Sequence, residues 1–458
     1  FLLVSCDRMI PISYPKMGNG FVRKQSNSID YILVRTPKAR DVVVVPDIGF
    51  LALVESREDI RKMTVNFTGM ESGDTFNTGY IKSLTLFLEH RCNYCCDYCF
   101  VSEHKIINNK RQFSLETEAV LPIIRPFLEQ IPKGAYASIT LFGGEPLLHK
   151  DFLTILDIID EERMTQDKNC DIIIFTNGSL IDDAFVSKIR DKKNCKIFVS
   201  IDGPPELNDP HRVALNGGVA SAFTEGGLNR LDCIERDRII GRITINDDIP
   251  LIKQRVSYLI EIVGLKNVTL EVAYNNVLTL LAHLGYLAYD IDNKEVYINR
   301  LERLSEELSE LCDYYVSQLK LKNKVNIGII SEIIATIMSP KIPLKTNTVC
   351  SAGRRNLAID TDGKKYPCHR QVGNLIRLEE GKIEPHMVAL ADCDGCWAAP
   401  WCDKICPSIA FDSDYDPDLI MAICSYNKKR ILCSIDIIID IYGKTNPNRK
   451  LWSYVEPT

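Results

Sequence analysis

The feature that most constrains this chain is a run of four cysteines within the nine residues Cys92-Asn-Tyr-Cys-Cys-Asp-Tyr-Cys-Phe100. Cys92, Cys96 and Cys99 leave gaps of three residues and then two, and Cys95 fits this pattern less well. Three thiolates at this spacing hold three irons of a cubane cluster and leave the fourth open to a small molecule, whereas a closed structural site takes four protein ligands. A zinc knuckle is the alternative, which the aromatic Tyr98 before the last cysteine disfavours.

Composition places the chain among ordinary soluble proteins of several domains. With 458 residues it is long enough for about three domains. The apolar fraction of 45% and charged fraction of 25% are typical of globular proteins. A net charge of -6 argues against general nucleic-acid binding, and no apolar run approaches the ~20 residues of a membrane span. We therefore expect neither a nucleic acid nor a membrane as partner.

Cysteine usage also indicates a compartment. The 17 cysteines are closely spaced within a large enzyme-like chain, a pattern that favours metal binding over disulfides. The first residues, Phe1 to Cys6, lack the basic start and full apolar region of a signal peptide. The expected setting is the reducing cytoplasm.

Residues 81–275 alternate apolar strands with amphipathic stretches. Strands separated by helical segments predict a parallel β/α sheet. A complete barrel has eight strands, so the fold class predicted here is α/β, a partial TIM-like barrel of six β/α units. The predicted strands are Ser83–Glu89, Ser138–Phe142, Asp171–Thr176, Lys196–Ile201, Ile240–Asn246 and Asn267–Val272.

Three further regions flank this barrel. Residues 1–80 are predicted to form a small α+β region, with strands at Tyr31–Arg35 and Asp41–Pro46 and a helix at Ile48–Met63. This region resembles a winged helix, and a plain N-terminal cap on the barrel is the alternative. Residues 276–340 are predicted to be bridging helices, at Leu278–Leu287 and Asn299–Leu321. Residues 341–458 form a cysteine-rich C-terminal region.

A second motif follows the second predicted strand, the run Leu141-Phe-Gly-Gly-Glu-Pro146. In parallel sheets ligands bind beyond the carboxyl ends of the strands, so this run shares a rim with the cysteine loop. A three-cysteine loop followed one β/α unit later by Gly-Gly-Glu-Pro resembles the radical S-adenosylmethionine (SAM) superfamily. The resemblance implies that an electron from the cluster cleaves SAM to methionine and a 5'-deoxyadenosyl radical, which abstracts a hydrogen atom from the substrate.

The same resemblance implies a SAM-binding set along the rim. Glu145 would accept the SAM ammonium, and Arg242 would pair with the SAM carboxylate. A salt bridge within the protein is the alternative for Arg242, and core packing is the alternative for Tyr98, which would lie against adenine. The full predicted set is Tyr98, Gly143, Gly144, Glu145, Asn177, Ser200, Asp202 and Arg242.

The C-terminal cysteines follow one spacing pattern. Cys350 and Cys368 frame Gly363; Cys393-x2-Cys396-x5-Cys402-x3-Cys406 follows, and then Cys424. This pattern resembles the SPASM domain. The resemblance implies two auxiliary iron–sulfur clusters of the 4Fe–4S kind, and zinc is the rival metal. By resemblance, the outer cluster is held by Cys393, Cys396, Cys402 and Cys424, and the inner cluster by Cys350, Cys368 and Cys406. The inner cluster then has either an open iron or a distant fourth ligand such as Cys312.

The stretch Cys368-His-Arg-Gln-Val-Gly373 narrows the expected activity. Sulfatase maturases resemble this domain but carry an aspartate where His369 stands. The motif is more similar to that of maturases that form thioethers in ribosomally made peptides. His369 is the candidate catalytic base, with support of the inner cluster as the alternative role.

The resulting prediction is a peptide-modifying radical SAM oxidoreductase with three iron–sulfur clusters. Its partners would be a precursor peptide with a leader, bound by the N-terminal region through strand addition, and a one-electron donor such as flavodoxin or ferredoxin. A thioether is the expected bond, and a carbon–carbon or cyclophane crosslink is the alternative. Formylglycine formation in a sulfatase and an electron carrier without turnover are the rival functions.

Overall fold

The computed structural model describes most of the barrel and separate parts of its flanks. The described residues are 2–3, 22–26, 29–45, 50–54, 64–65, 80–101, 113–247, 249–273, 293–338, 350–372, 393, 396–402, 405–406, 409 and 416–442.

The N-terminal part is built from short strands. They are β1 (Leu2–Leu3), β2 (Val22–Ser26), β3 (Ile29–Arg35), β4 (Asp41–Val45), β5 (Phe50–Val54) and β6 (Thr64–Val65). The second to fifth form an antiparallel sheet in chain order, and β1 pairs with β6. The helix predicted over Ile48–Met63 is wrong at β5, which pairs with the valine-rich β4. A short apolar run has no period of its own, and the neighbouring strand decides its conformation.

The remaining strands belong mainly to one nine-stranded sheet. They are β7 (Ser83–Glu89), β8 (Tyr94–Cys96), β9 (Tyr136–Gly143), β10 (Asn169–Thr176), β11 (Cys195–Ser200), β12 (Arg212–Ala214), β13 (Ile239–Ile245), β14 (Asn267–Val272), β15 (Asn326–Ile327), β16 (Asn356–Ile359) and β17 (Lys365–Tyr366). The sheet order is β15-β14-β13-β11-β10-β9-β7-β16-β17, and β8 pairs separately with β12. All six predicted strands are present as parallel neighbours, and the predicted α/β partial-barrel fold class is confirmed.

Helices alternate with these strands. They are α1 (Thr117–Glu129), α2 (Phe152–Thr165), α3 (Asp183–Arg190), α4 (Pro205–Asn208), α5 (Ala220–Arg230), α6 (Ile252–Ser257), α7 (Asn293–Lys320), α8 (Gly328–Met338) and α9 (Pro417–Tyr442). Short 3₁₀ turns occur at Pro146–Leu148, Leu231–Cys233, Arg236–Arg238 and His369–Gln371, and a π-turn at Tyr258–Ile262. The predicted helix Asn299–Leu321 lies within α7 and one residue past it, whereas Leu278–Leu287 falls outside the described residues. Among those residues, no helix has the length and apolar character of a membrane span.

Local sequence explains both element types. Along β10 and β13 alternate residues are buried, as expected for β-branched strands with one face in the core. Helix α3 begins at Asp182, whose side chain accepts from the Phe185 amide over 2.8 Å, and it ends with basic residues in its last turn. Both features stabilise the ends of the helix dipole.

The C-terminal region packs against both the barrel and the N-terminal sheet. Strand β16 extends the barrel sheet by running parallel to β7. Helix α9 packs in one hydrophobic cluster with α8 and with Val34, Val42 and Val44 of the N-terminal sheet. Asp436 of α9 accepts hydrogen bonds from Thr36 Oγ1 (2.7 Å) and the Lys38 amide (3.0 Å), which fixes the turn between β3 and β4.

Candidate active site

A cavity opens at the carboxyl ends of the parallel strands. It encloses about 890 Å³ of non-protein space, part of it open to solvent. Its size suits a cofactor with a substrate group beside it. The described residues that line it are Cys92, Tyr94, Cys96, Tyr98, Cys99, Phe100, Val101, Phe142, Gly143, Gly144, Phe175, Thr176, Asn177, Ser200, Arg212, Arg242, Thr244, Glu271, Val272, Ala273 and Arg370.

The cysteine loop forms one wall of this cavity. Cys92, Cys96 and Cys99 are half-buried and line it, while Cys95 is exposed and does not. The alternation follows from β8, which pairs with β12 and places Cys96 opposite Arg212. The loop then turns back through a hydrogen bond from the Cys99 amide to the Cys96 carbonyl, 3.2 Å long. The structure therefore brings the three predicted cluster ligands together and excludes Cys95.

The three thiols are suited to a bound cation. Burial, with added effects of Cys99 and Cys92, raises the pKa of Cys96 to about 12, although Arg212 opposes the rise. A thiol in such surroundings becomes a thiolate when a metal centre binds it. No three His, Cys, Asp or Glu side chains in the described ranges converge as they would around a single metal ion. Cluster ligands lie further apart, because each binds a different iron.

The two glycines of the second motif pack against the start of this loop. A Cβ atom on Gly143, whose φ is +142°, would lie 2.1 Å from the Glu89 carbonyl oxygen. A Cβ atom on Gly144 would lie 2.4 Å from the carbonyl oxygen of Arg91. The absence of side chains thus serves a close approach to the protein backbone, in addition to any approach to a ligand.

Glu145 has partners other than the predicted one. Its carboxylate accepts hydrogen bonds from the Asn177 amide (2.7 Å), Thr176 Oγ1 (2.8 Å) and the Leu147 amide (3.0 Å). It is fully buried and is not among the cavity-lining residues. Burial raises the pKa of Glu145 to about 7, although these hydrogen bonds act against the rise. In this structure Glu145 connects the end of β9 to the end of β10 through hydrogen bonds. Its contact with SAM stays a prediction.

Asn177 connects the end of β10 to the cysteine loop. Its Nδ2 donates to Asn93 Oδ1 over 2.8 Å and lies 3.9 Å from the Cys92 sulfur. Its Oδ1 accepts from the amide and hydroxyl of Ser179. Asn177 and Ser200 both line the cavity, as their predicted roles require.

Asp202 lies behind the cavity wall and is fully buried. Its carboxylate accepts from the Tyr98 hydroxyl and, over 2.8 Å, from the Thr244 amide. Arg212 donates to the same Tyr98 hydroxyl over 2.5 Å. Burial raises the pKa of Tyr98 well above its ordinary value, which keeps the hydroxyl protonated. In this structure Asp202 holds Tyr98 and Arg212 in place, and its contact with SAM stays a prediction.

Arg212 is a site residue that sequence reasoning missed. Only 6% of the residue is exposed, it lines the cavity, and its Nε has no hydrogen-bond partner among the described residues. A buried guanidinium N–H without a partner is costly, so a bound anionic group would satisfy it. The sequence signal for Arg212 is weak, because it stands in the polar stretch Asp209 to Arg212, which a helix cap explains equally well. Indeed Asp209 accepts from the Ser221 amide over 2.8 Å, near the start of α5.

Arg242 pairs within the protein, as its alternative interpretation held. Its NH2 donates to Glu271 Oε2 over 2.5 Å, and Arg370 NH2 donates to the same oxygen over 3.2 Å. Burial acts to raise the pKa of Glu271, but the two guanidiniums outweigh it and lower the pKa to about 2. Arg242 also lies over the Phe175 ring and Arg370 over the Phe100 ring. All three charged residues line the cavity.

His369 lies beside the cavity and not on its wall. Its ring centroid is 5.4 Å from that of Phe142 and 6.0 Å from that of Phe100. Burial and the neighbouring Arg370 lower the pKa of His369 to about 4, which keeps the imidazole neutral. A neutral ring is the form a base requires, and the catalytic role of His369 stays a prediction.

The C-terminal cysteines form two groups. Cys406 and Cys350 both act electrostatically on Cys368, and Cys402, Cys393 and Cys396 act on Cys424. These neighbours match the predicted inner and outer ligand sets. Cys312 belongs to neither, because it makes a hydrogen bond with Cys433 between α7 and α9. Its suggested role as the distant ligand of the inner cluster stays a prediction.

Comparison with known sequences identifies the barrel. Residues 88–230 match the model of the radical SAM superfamily. The chain is 23% identical over 314 residues to a probable GTP 3',8-cyclase of Methanocaldococcus jannaschii, covering 67% of this chain and 93% of that protein. It is 30% identical over 173 residues to the radical SAM cyclopropyl synthase TigE of Paramaledivibacter caminithermalis, covering 36% of this chain and 34% of TigE.

Comparison with solved structures extends the fold to most of the chain. The structure of anSMEcpe with bound AdoMet superposes with a TM-score of 0.61 at 19% identity, covering 79% of this chain and 95% of that one. A second structure of anSMEcpe, with AdoMet and the Cp18Cys peptide, gives a TM-score of 0.60 at 18% identity, covering 78% and 98%. The chain is therefore an enzyme with a radical SAM domain at residues 88–230, the domain that uses SAM and a 4Fe–4S cluster. The resemblance seen in the sequence is thereby confirmed.

Proposed function

We propose that this enzyme modifies a ribosomally made precursor peptide and closes an intramolecular crosslink, a thioether in the first instance. The observation that carries the proposal is the position of Arg370. This residue comes two places after Cys368 and yet lines the same cavity as Cys92, Cys96 and Cys99. A substrate in the cavity would therefore lie close to the inner cysteine group as well as to SAM.

The residues present fit a SAM-binding cluster. Cys92, Cys96 and Cys99 would hold it, and the cluster supplies the electron that splits SAM into methionine and a 5'-deoxyadenosyl radical. Arg212 would bind the SAM carboxylate through its buried Nε, since the guanidinium of Arg242 is already engaged by Glu271. Gly143, Gly144, Asn177, Ser200 and Tyr98 line the space beside them.

Other residues of the cavity would shield the reacting atoms. Phe100, Phe142 and Phe175 line it with their rings, which excludes water from a reactive intermediate. Glu271 holds the Arg242 and Arg370 guanidiniums at the cavity wall and would so limit how the substrate enters. This arrangement suits hydrogen abstraction from an unactivated carbon.

A peptide substrate is supported by several features. The fold is shared with anSMEcpe, one of whose structures contains the Cp18Cys peptide. The Cys368-His-Arg-Gln-Val-Gly373 stretch resembles thioether-forming maturases. With Cys312 paired to Cys433, the inner group retains three assigned cysteines, Cys350, Cys368 and Cys406, and an open iron there would bind a substrate thiolate. The two further clusters, the leader-binding role of residues 1–80, the cytoplasmic setting and the external electron donor belong to this proposal.

Mass spectrometry of a reaction product tests the proposal. Reconstituted enzyme would be incubated anaerobically with SAM, dithionite and short cysteine-containing peptides encoded beside its gene. We expect 5'-deoxyadenosine and a peptide that has lost two hydrogens and whose cysteine resists alkylation. The Cys92→Ala variant should give neither product, while Cys95→Ala, an exposed neighbour in the same loop, should give both.

The other outcomes separate the rival functions. Loss of two hydrogens with a free thiol indicates a carbon–carbon or cyclophane crosslink, and conversion of a serine or cysteine to an aldehyde indicates formylglycine. A parallel incubation uses GTP, which is named in the activity of the Methanocaldococcus relative. Consumption of GTP but of no peptide would overturn a peptide function. If no substrate led to 5'-deoxyadenosine, the result would favour an electron carrier without turnover.

A further inference from the structure

A strand of the cysteine-rich region lies beside the strand that leads into the cluster loop. Strand β16 pairs in parallel with β7, with Asn356 opposite Ser83 and Ile359 opposite Leu86. The residue after β16 is Asp360, and the residue after β7 is His90. The two strands therefore deliver these side chains to the same rim of the sheet.

Asp360 and His90 form a buried pair there. His90 Nε2 and Asp360 Oδ1 are 2.6 Å apart, and the two side chains are 1% and 0% exposed, respectively. The same Asp360 oxygen accepts from the Thr361 amide over 2.7 Å, which fixes the carboxylate relative to its own backbone. A polar pair removed from water depends strongly on its geometry, because either partner alone would be left poorly solvated.

The backbone on either side of His90 is held between other parts of the rim. The His90 amide donates to the Phe113 carbonyl over 2.7 Å. The amides of Gly144 and Glu145 donate to the carbonyls of Glu89 (2.7 Å) and Arg91 (2.9 Å). Two residues after His90 the first cluster ligand begins, so a shift of the imidazole moves the base of the cluster loop.

The chain that carries Asp360 also carries the inner cysteines. Asp360 lies between Cys350 and Cys368 in sequence. Ala358, Tyr366 and Val372 of the same segment pack in one hydrophobic cluster with Phe87 and Val101, and Cys99 packs against that cluster. The segment therefore touches the cluster loop at both of its ends.

We infer that Asp360 is a positioning residue for the radical SAM reaction: through His90 it sets the base of the cluster loop, so that the C-terminal segment must be docked for efficient SAM cleavage. The inference rests on SAM chemistry and is independent of the substrate proposed above. A failure of the peptide assay would leave it untouched, since its readouts need no peptide.

Hydrogen exchange of the protein without clusters gives the first test. The variants are Asp360→Ala and the matched control Asp362→Asn, an exposed residue of the same turn. We expect amides of residues 88–99 to exchange roughly ten times faster or more in Asp360→Ala, and to keep wild-type rates in Asp362→Asn. Equal exchange rates in the two variants would overturn the inference.

The loaded enzyme gives the second test. Loss of a residue that orients metal ligands without binding the metal itself typically lowers activity or metal affinity by roughly 10–100-fold. In Asp360→Ala we expect a decrease of this size in the rate of 5'-deoxyadenosine formation without substrate. We also expect a change in the electron paramagnetic resonance signal that the reduced cluster gives when SAM is added. Asp360→Asn, which keeps an oxygen acceptor for His90, should recover part of the rate.

A variant that fails to fold would not end the test. His90→Phe, which has no ring nitrogen, removes the same contact from the barrel side, and its effect can be compared with that of Asp360→Ala and of the double variant. If the two residues act as one unit, the double variant is no worse than the more impaired single variant. Additive losses, or a wild-type resonance signal in both single variants, would show that the pair does not position the loop.

Discussion

Arg370 donates to Glu271 Oε2 over 3.2 Å across 99 positions of sequence, at the wall of the cavity beside the cysteine loop. Arg370 belongs to the cysteine-rich region and Glu271 to the end of β14, so one carboxylate connects the two halves of the site. Arg242 donates to the same oxygen. Removal of the carboxylate would leave two guanidiniums close together without their counter-charge.

The first prediction concerns the variant Glu271→Gln. The side chain is 41% exposed toward the cavity, so solvent screens the pairing and the free energy of unfolding should fall by about 1 kcal/mol or less. Product formation should fall much more, roughly 10–100-fold, because Arg370 loses its anchor and the substrate wall shifts. Steady-state rates and denaturant unfolding would be measured beside Glu118→Gln, an exposed residue of α1. Equal losses in both variants would contradict a role at the cavity.

The second prediction separates the two candidate arginines for the SAM carboxylate. Arg212→Lys should weaken SAM binding by about 1.5–3 kcal/mol, the value of a hydrogen bond to a charged group, since an ammonium cannot reproduce the fork of a guanidinium. Arg242→Lys should change SAM affinity little, because its donor is engaged by Glu271. Equilibrium binding to the loaded enzyme gives the comparison.

A control is needed because Arg212 also donates to Tyr98. Tyr98→Phe removes the hydroxyl between Arg212 and Asp202 and reports how much of the effect is structural. If Arg242→Lys were the variant that lost SAM, the original assignment of the carboxylate to Arg242 would stand.

The third prediction uses adjacent glycines of helix α5. A Cβ atom on Gly226 has nothing within 4 Å, whereas one on Gly227 would lie 2.0 Å from the Gly178 carbonyl oxygen. Gly226→Ala should therefore stabilise the protein by about 0.5–1 kcal/mol through helix propensity. Gly227→Ala should destabilise it by about 1–3 kcal/mol, as overpacking does.

The same pair also reports on the site. Gly178 follows Asn177, which contacts the Cys92 sulfur, so a displaced Gly178 should lower SAM-dependent activity in Gly227→Ala alone. Denaturant unfolding of the protein without clusters and 5'-deoxyadenosine formation with them would be compared. If the two variants had the same stability and the same activity, the close approach of Gly227 to the Gly178 carbonyl oxygen would be refuted.

The parallel strands were predictable because their signal is local. The bounds of Ser83–Glu89 and Asn267–Val272 agree with the structure, and the other four strands differ by one or two residues. Apolar β-branched runs separated by amphipathic stretches leave little choice of element. Phe50–Val54 shows the limit: its apolar residues suit either element, and only pairing with β4 makes it a strand.

The sequence predicted which residues lie around the cavity, but it did not predict which groups their side chains contact. Cysteine spacing located the loop, and strand ends located Gly143, Asn177 and Ser200 at one cavity. Sequence does not tell which way a side chain turns, so Glu145 and Asp202 were predicted as ligand contacts although both are buried behind the wall. Contacts between distant segments, such as Arg212 with Tyr98, depend on the assembled fold and have no signature in the sequence.

The fourth prediction concerns the attachment of the N-terminal sheet. Asp436 is buried on α9 and accepts from Thr36, Lys38 and Arg40. Asp436→Ala should leave these donors unsatisfied and release the turn between β3 and β4, at a cost of about 3–5 kcal/mol. Limited proteolysis should then cut the N-terminal region faster, while Asp418→Ala, an exposed residue near the start of the same helix, should be cut like the wild type.

The last prediction is a pH dependence at His211. Its two ring nitrogens contact Asp247 (2.6 Å) and Asp97 (2.7 Å), a residue between two cluster cysteines. These hydrogen bonds raise the pKa of His211 to about 9, against the effect of burial. The folded pKa exceeds the unfolded value near 6.5, so the stabilisation is complete below about pH 6.5 and is lost as the pH rises through about 9. His211→Gln in the reduced protein without clusters should therefore lower the free energy of unfolding by about 1–3 kcal/mol near pH 6 and by much less near pH 10. Denaturant unfolding of both proteins at the two pH values measures this difference, and a difference that stayed constant with pH would show that the charge of His211 does not hold the loop.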